Sequence, residues 1–416
     1  MENKELGIYI HIPFCMQKCY YCDFVSFSNK QDLVESYMKA VKTEINNYFD
    51  NKEILENYNV TTIYIGGGTP SFIDSQYIVE MLNLLEMKLK RNQTKFEDME
   101  ITIEVNPGTV NQKKLEDYRK VKINRLSIGL QSTNNRILKE IGRIHSFEQF
   151  LETYRLANKV GFDNINVDLM IGLPNQRIED IKEGLNEIIN LKPAPTHISV
   201  YSLIIEEGTV IAQKIENHQL QEIDEDLERN MYWYVKNILE LNGYKHYEIS
   251  NFAKEGKESK HNMNCWLQKE YLGIGVAAHS YLKGIRYSNN TKFEQYIIQM
   301  NELNGQIIDD ILKLSDNHSD SSIETKLKER IETIYEIEEV QNLKDKKKEY
   351  MLLGLRKIEG VQISKFKEKF IDNPIFLFRK ELEKLVNEEL ISIDGDYIKL
   401  TNKGLDLANL VWEEFV

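Results

Sequence analysis

The stretch that decides the fold is Tyr9-Ile10-His11-Ile12-Pro13-Phe14-Cys15-Met16-Gln17-Lys18-Cys19-Tyr20-Tyr21-Cys22-Asp23-Phe24. Three of the chain's four cysteines fall in it, spaced C-x3-C-x2-C. Just before it, Gly7-Ile8-Tyr9-Ile10-His11-Ile12 alternates and is β-branched, which predicts a strand. Pro13 cannot donate to a ladder and stops it. The cysteines therefore sit on a loop at the strand's C-terminal end.

Thiolates are soft ligands and suit an iron–sulfur cluster or zinc. A four-iron cluster normally takes four thiolates. This loop offers three, and the remaining cysteine, Cys265, lies far along the chain. With three ligands, one iron stays open to an exogenous ligand. Zinc is the rival, with His11 or a distant histidine as fourth ligand. Structural zinc usually uses two paired spacings, and no second pair exists here.

The chain has 416 residues, enough for one large domain and a small one. It is 29% charged and 41% hydrophobic, the balance of a globular protein. A net charge of −13 argues against unspecific nucleic-acid binding. Three thiols crowded into one loop do not make a disulfide framework, so a reducing cytoplasm is expected. The first strand begins almost at once, so no signal peptide is expected. No apolar run is long enough for a bilayer.

Six strand-then-helix units follow one another. Residues 33–49 form a helical face after the cysteine loop. Residues 60–65 read as a buried strand running into Gly66-Gly67-Gly68-Thr69-Pro70. Three glycines let a backbone approach a ligand closely, or simply make a sharp turn. No Gly-Lys-Ser/Thr follows, so this is not a P-loop. Further strands are expected at 100–105, 125–131, 164–174 and 197–203. Helices are expected at 75–89, 112–120, 134–141, 146–160 and 179–191, with Ser146 and Gln149 placed for a capping box.

This order predicts an α/β fold with a parallel sheet and right-handed crossovers. An open doubly wound sheet is one form of it. The cysteines, the glycines, Glu104, Gln131, Arg143 and Asp168 all fall at strand C-terminal ends, where barrel enzymes keep their chemistry. Singly, Glu104 reads as a solvated strand-end carboxylate and Arg143 as a surface cation. Asp168 interrupts an apolar run, and a charge there needs a partner or a ligand.

C-x3-C-x2-C with an aromatic, Tyr21, before the last cysteine resembles the signature of the radical SAM superfamily. The resemblance implies that Cys15, Cys19 and Cys22 hold a [4Fe–4S] cluster whose open iron is chelated by S-adenosylmethionine. It implies a partial (β/α)6 TIM-like barrel. It puts Gly67, Gly68 and Thr69 at the methionine end of the ligand. Tyr9, Tyr21, Glu104, Gln131, Arg143 and Asp168 would line the rest. Carboxylates suit ribose hydroxyls or the ammonium group, and Arg143 suits a carboxylate. The fuller string is similar to the branch containing oxygen-independent coproporphyrinogen III oxidase and the HemW heme chaperones. The oxidase carries another cysteine two residues after the third. Phe24 stands there in this chain, which favours the HemW side.

Downstream, His261-Asn262-Met263-Asn264-Cys265-Trp266 resembles the HemW pattern His-Asn-x-x-Tyr-Trp, proposed to take part in heme binding, with Cys265 in the tyrosine's place. The resemblance makes His261 a heme candidate, and a cysteine can itself ligate heme iron. From the residues alone, a loop-capping His261 and a core His279 are equally open. Gly273 and Gly275 read as a close-packed turn. Residues 312–348 are dense in charge and read as an insertion, a flexible loop over 316–322 and then an exposed amphipathic helix. From 349 onward the pattern is three helices, a hairpin around Gly395 and a helix, a small, mainly helical, winged-helix-like domain similar to that of HemW. It holds 10 Lys/Arg against 13 Asp/Glu, and duplex DNA needs phosphate neutralisation, so no nucleic acid is expected. The expected segments are a barrel over 1–245, a flanking segment with the histidine motif over 246–311, the insertion, and a domain over 349–416.

The resemblance implies a heme chaperone that binds the cluster, S-adenosylmethionine and heme, and delivers heme to respiratory hemoproteins. The cluster and S-adenosylmethionine would then be structural or regulatory, as in forming a homodimer. The alternative is a radical SAM enzyme acting on a tetrapyrrole, either coproporphyrinogen III dehydrogenase or a heme-modifying methyltransferase. Peripheral membrane contact stays open.

Overall fold

The structure, a computed structural model, describes residues 3–90, 95–314 and 321–416. The chain divides into two compact units. One is Met1–Tyr232 with Glu270–Val340, the other Trp233–Lys269 with Gln341–Val416.

The first unit is built on β1 (Lys4–Ile12), β2 (Tyr58–Gly67), β3 (Glu100–Val105), β4 (Arg125–Gln131), β5 (Ile165–Ile171) and β6 (His197–Ser202). All six are parallel and stand side by side in sequence order. Helices Val34–Phe49, Ser75–Leu89, Gln112–Lys120, Phe147–Val160 and Ile178–Ile189 make the crossovers. The expected capping box forms at Ser146 and Gln149, and Gly161 closes that helix in the left-handed conformation.

These strands are not the continuous apolar runs of an ordinary parallel sheet. Ile101, Ile103, Leu126, Ile128, Val167, Ile198 and Val200 alternate with Thr102, Glu104, Ser127, Asn166, Asp168, His197 and Ser199. The apolar set is buried in the core. The polar set faces inward and, apart from the unpartnered Thr102 hydroxyl, forms a bonded layer. Asn166 Nδ2 donates to Ser127 Oγ at 2.8 Å and to Asp168 Oδ1 at 2.7 Å, and Ser199 Oγ donates to Asn166 Oδ1 at 3.1 Å. In a flat sheet β2 and β6 would stand about 19 Å apart, four strand spacings. Tyr64 of β2 and Tyr201 of β6 instead line one cavity, so the sheet curves into a barrel. Because β1 and β6 are not neighbours, the barrel is partial.

On the other side of β1 the sheet continues further than the six expected units. Strand Glu270–Ile274 pairs parallel with β1, and His279–Leu282, Ile285–Asn289 and Tyr335–Val340 follow antiparallel. Gly273 and Gly275 are close-packed, as expected. A Cβ on Gly273 would meet the His279 carbonyl at 2.1 Å. The last strand corrects the reading of 312–348 as a loop and an exposed helix. Leu327, Ile331, Ile334 and Tyr335 are buried, and Arg330 clamps Asp310 with two bonds of 2.6 and 2.9 Å. A few apolar residues at helical spacing bury one face even where charge dominates the composition. Of the expected loop, 316–320 lie outside the described residues.

Buried Glu44 ties this extension to helix Val34–Phe49. It accepts from Gly275 N–H (2.9 Å), Asn289 Nδ2 (2.9 Å), Tyr296 OH (2.8 Å) and Tyr335 OH (3.3 Å). Burial pushes its pKa up to about 7.

The second unit has its own core around Met351, Phe366, Leu382, Ile398 and Val411. The expected hairpin at Gly395 forms between Ile391–Asp394 and Tyr397–Leu400, and Val361–Gln362 adds a third strand. The unit also takes in Trp233–Lys269. Trp233 Nε1 donates to Asp406 at 2.9 Å. The Arg356 guanidinium lies between the rings of Trp266 and Trp412, 4.6 and 4.4 Å from their centres.

Candidate functional site

The cysteine loop is pinned at its ends and in its middle. Cys15 N–H donates to Phe27 O at 3.0 Å, and Phe27 N–H to Pro13 O at 2.7 Å. Phe14 packs edge-on against Tyr37 and Phe293. Tyr20 N–H donates to Ile141 O at 3.0 Å.

All three loop cysteines open on a cavity of about 380 Å³, which Tyr21, Gly67, Gly68, Thr69, Glu104, Gln131, Arg143 and Asp168 also line. Of the residues expected to line it, Tyr9 is not in its wall. Tyr9 donates or accepts at His11 Nδ1 (2.9 Å) and stacks on Tyr64, so it stands behind the wall. His261 belongs to the second unit, buried on helix Lys260–Trp266. That helix is capped by Ser259, not by the histidine. His279 is not a core histidine. It is exposed and pairs with Glu338 at 2.7 Å.

Each wall residue is placed by its strand end. Gln131 has φ +71 at a register break between Gly129 and Gln131, a bulge that re-aims the side chain. Gly67 has φ +115, and a Cβ there would strike the His11 ring at 2.6 Å. A Cβ on Gly68 would stand 2.9 Å from Pro13 C and 3.0 Å from Cys15 Sγ. Glycine is required so that the two loops can touch. The N–H groups here are all used internally. Gly67 donates to Glu104 Oε2 (3.1 Å), Gly68 to Ile12 O (2.9 Å) and Thr69 to Phe14 O (2.9 Å). The glycines thus offer a ligand carbonyl oxygens rather than donors. Lys114 Nζ fixes the following turn by donating to the carbonyls of Ser71 (2.8 Å), Phe72 (3.3 Å), Ile73 (2.9 Å) and Thr109 (3.2 Å).

The wall holds two carboxylates and one guanidinium. Burial pushes Glu104 up to about 7, with Asp168 adding repulsion, while Tyr64 OH (3.0 Å) and Gly67 N–H favour its charged form. Burial also raises Asp168, against bonds from Asn166 and Ser127. Arg143 Nη2 donates to Gly129 O at 2.5 Å and Nη1 to Cys19 Sγ at 3.5 Å. Its Nε is buried with no partner. Such a cation with spare donors suits an anionic ligand group. Glu104 is therefore no solvated carboxylate and Arg143 no surface cation.

The donor set fits an iron–sulfur cluster better than zinc. Both His11 nitrogens are taken, one by Tyr9 and one by Val25 O at 2.8 Å. Among the described residues no three His, Cys, Asp or Glu side chains close on a single ion. The three thiols stand near enough to repel one another's charge, with Cys15 against Thr69 Oγ1 (3.6 Å) and Cys19 against Arg143. Burial raises Cys15 and pushes Cys22 up to about 11, so metal binding would release their protons.

Sequence reasoning missed Tyr64, Ser127, Asn106 and Tyr201, which also line the cavity. Asn106 Nδ2 donates to Thr69 Oγ1 at 2.8 Å. The signal was there in the period-two polar alternation of β2 to β6.

The chain matches the radical SAM superfamily over residues 9–188 and the HemN C-terminal domain over 341–407. It is 35% identical to the heme chaperone HemW of Lactococcus lactis subsp. lactis (strain IL1403), covering 100% of this chain and 98% of that protein. It is 33% identical to HemW of Bacillus subtilis (strain 168), covering 98% of each. Coproporphyrinogen III oxidase HemN from Escherichia coli, described as a radical SAM enzyme, has the same fold. Its TM-score is 0.79 at 21% identity, over 99% of this chain and 90% of that one. The chain belongs to the radical SAM superfamily and, within it, to the HemW family.

Proposed function

We propose that this protein is a cytoplasmic heme chaperone. It holds a [4Fe–4S] cluster on Cys15, Cys19 and Cys22, binds S-adenosylmethionine in the adjoining cavity, and passes heme to respiratory hemoproteins. The observation that carries this reading is that three thiols, two carboxylates and a guanidinium line one cavity of about 380 Å³. Bound there, the cluster would supply an iron free of protein thiolate for the ligand's amino and carboxylate groups. Arg143 would hold the ligand carboxylate, and the carbonyls before Thr69 would accept from its ammonium group. Glu104 and Asp168 would take hydroxyls or the ammonium charge. Tyr21, seated on Ile137, Ile141 and Met170, would exclude water. His261 is the proposed heme contact of the second unit, and dimerisation on cluster loading belongs to the same reading.

The test is anaerobic. Reconstituted protein is incubated with reductant, S-adenosylmethionine and either heme or coproporphyrinogen III. Stable heme uptake, transfer to an apo-hemoprotein and no new pigment are expected, and His261→Ala should weaken uptake. Protoporphyrinogen, or a linear tetrapyrrole made from heme, would replace the chaperone reading with an enzymatic one.

A further inference from the structure

Arg125 opens β4 on the face that Ser127 shares, two residues and so about 7 Å deeper in the barrel. It is 2% exposed. Its Nε has no hydrogen-bond partner, and among the described residues no carboxylate lies within ion-pair distance of it. On β3 the Thr102 hydroxyl, opposite Arg125 in register, has no partner either. Burying a cation in this way costs stability rather than adding it. The barrel floor therefore carries a charge that its own hydrogen bonds do not explain.

That charge acts upward, on Asp168. The Asp168 carboxylate is fixed by Asn166 Nδ2 at 2.7 Å and Ser127 Oγ at 3.1 Å. Burial raises its pKa, and those bonds and the Arg125 charge oppose the rise. The other groups facing it do not replace Arg125. Glu104 of β3 repels it. Burial keeps Tyr64 of β2 neutral, and burial together with Arg125 keeps His197 of β6 neutral. Tyr201 of β6 adds no cation. Arg143 attracts Asp168 from the cavity side, but it is the cation assigned to the ligand's carboxylate. With that ligand bound, Arg125 is the cation left to Asp168.

We propose that Arg125 is a positioning residue for the cavity, acting through Asp168 as its counter-charge on the floor side. It touches no ligand. It keeps Asp168 an ionised acceptor for a ligand hydroxyl or ammonium group, in a place where burial would otherwise let a proton settle. The proposal rests on the reading of Asp168 as a contact for S-adenosylmethionine and is independent of the heme reading.

The test is calorimetric titration of S-adenosylmethionine into the anaerobically reconstituted full chain at about pH 7 and about pH 9, with iron content and circular dichroism in parallel. Arg125→Gln and Arg125→Met are both neutral and of similar length. Each should bind about tenfold more weakly than the parent at the lower pH. Most of that loss should be recovered at the higher pH, where the proton leaves Asp168 again. Arg125→Lys keeps the charge and should stay within about threefold of the parent. In an Asp168→Asn background Arg125→Gln should change nothing further, because the carboxylate it acts on is gone. The proposal is overturned by a neutral variant that binds within about twofold of the parent at the lower pH, by a loss equal at both pH values, or by a loss that adds in full to that of Asp168→Asn. If Asp168→Asn alone binds as tightly as the parent, Asp168 leaves the ligand reading and this proposal goes with it. If Asp168→Asn binds weakly and the neutral variants do not, only this proposal is overturned.

Discussion

Replacing Arg143 by glutamine removes the guanidinium that faces both cavity carboxylates. The structure gives this side chain two bonds, to Gly129 O and Cys19 Sγ, and a buried Nε without a partner. Its charge favours the ionised form of Glu104. A hydrogen bond to a charged group contributes about 1.5–3 kcal/mol. If Arg143 holds the carboxylate of S-adenosylmethionine, Arg143→Gln should weaken its binding by about 10- to 150-fold. Arg143→Lys should recover only part of this, since one ammonium cannot reproduce the planar fork that reaches two acceptors at once. The assay is calorimetric titration of the anaerobically reconstituted protein, with iron measured in parallel. A Kd within about twofold of the parent at unchanged iron content would refute the assignment, because a removed charge-assisted bond costs more.

Lys114→Met leaves four carbonyls without their donor and should cost about 2–4 kcal/mol in urea unfolding. An unchanged midpoint would mean that the turn after Thr69 is held otherwise. Gly67→Ala should cost about 3 kcal/mol or more, for its φ and its clash with His11. Gly161→Ala, with φ +95 and nothing within 4 Å, should cost only about 1 kcal/mol, and equal losses would contradict the packing argument. Glu44 gives a pH signature. Its pKa is raised from 4.5 to about 7 when folded, so the folded chain binds the extra proton between those values. Stability from this group is full below about pH 4.5 and is lost as pH rises to about 7, by about 3 kcal/mol in all. Glu44→Gln should flatten that slope across pH 5–7, and parallel stability curves would remove Glu44 as its source.

Much of this could be read from the chain. Pro13 after an alternating strand placed the cysteines on a strand-end loop, and Glu104, Gln131, Arg143 and Asp168 do share one cavity. Tyr9 went astray because alternation gives a face, not a depth. It sits on the same face of β1 as His11, and that histidine takes its hydroxyl. The polar layer of Ser127, Asn166 and Ser199 was hidden by treating Asp168 as a lone charge in an apolar run. Comparing the parity of adjacent strands would have revealed it. The sheet extension past β1 was illegible for another reason. Its pairing joins Leu6–Ile10 to Glu270–Ile274 across most of the chain, and local patterns carry no information on such partners. The role of Glu44 was equally hidden, since its four donors come from residues 275–335.

The central claim is tested most directly by Mössbauer spectroscopy of the anaerobically reconstituted, iron-57-labelled protein, before and after S-adenosylmethionine is added. The account predicts about four iron atoms per chain, with the signal of a single iron shifting on addition. Zinc in place of iron, or a cluster whose four irons all ignore the ligand, would contradict it.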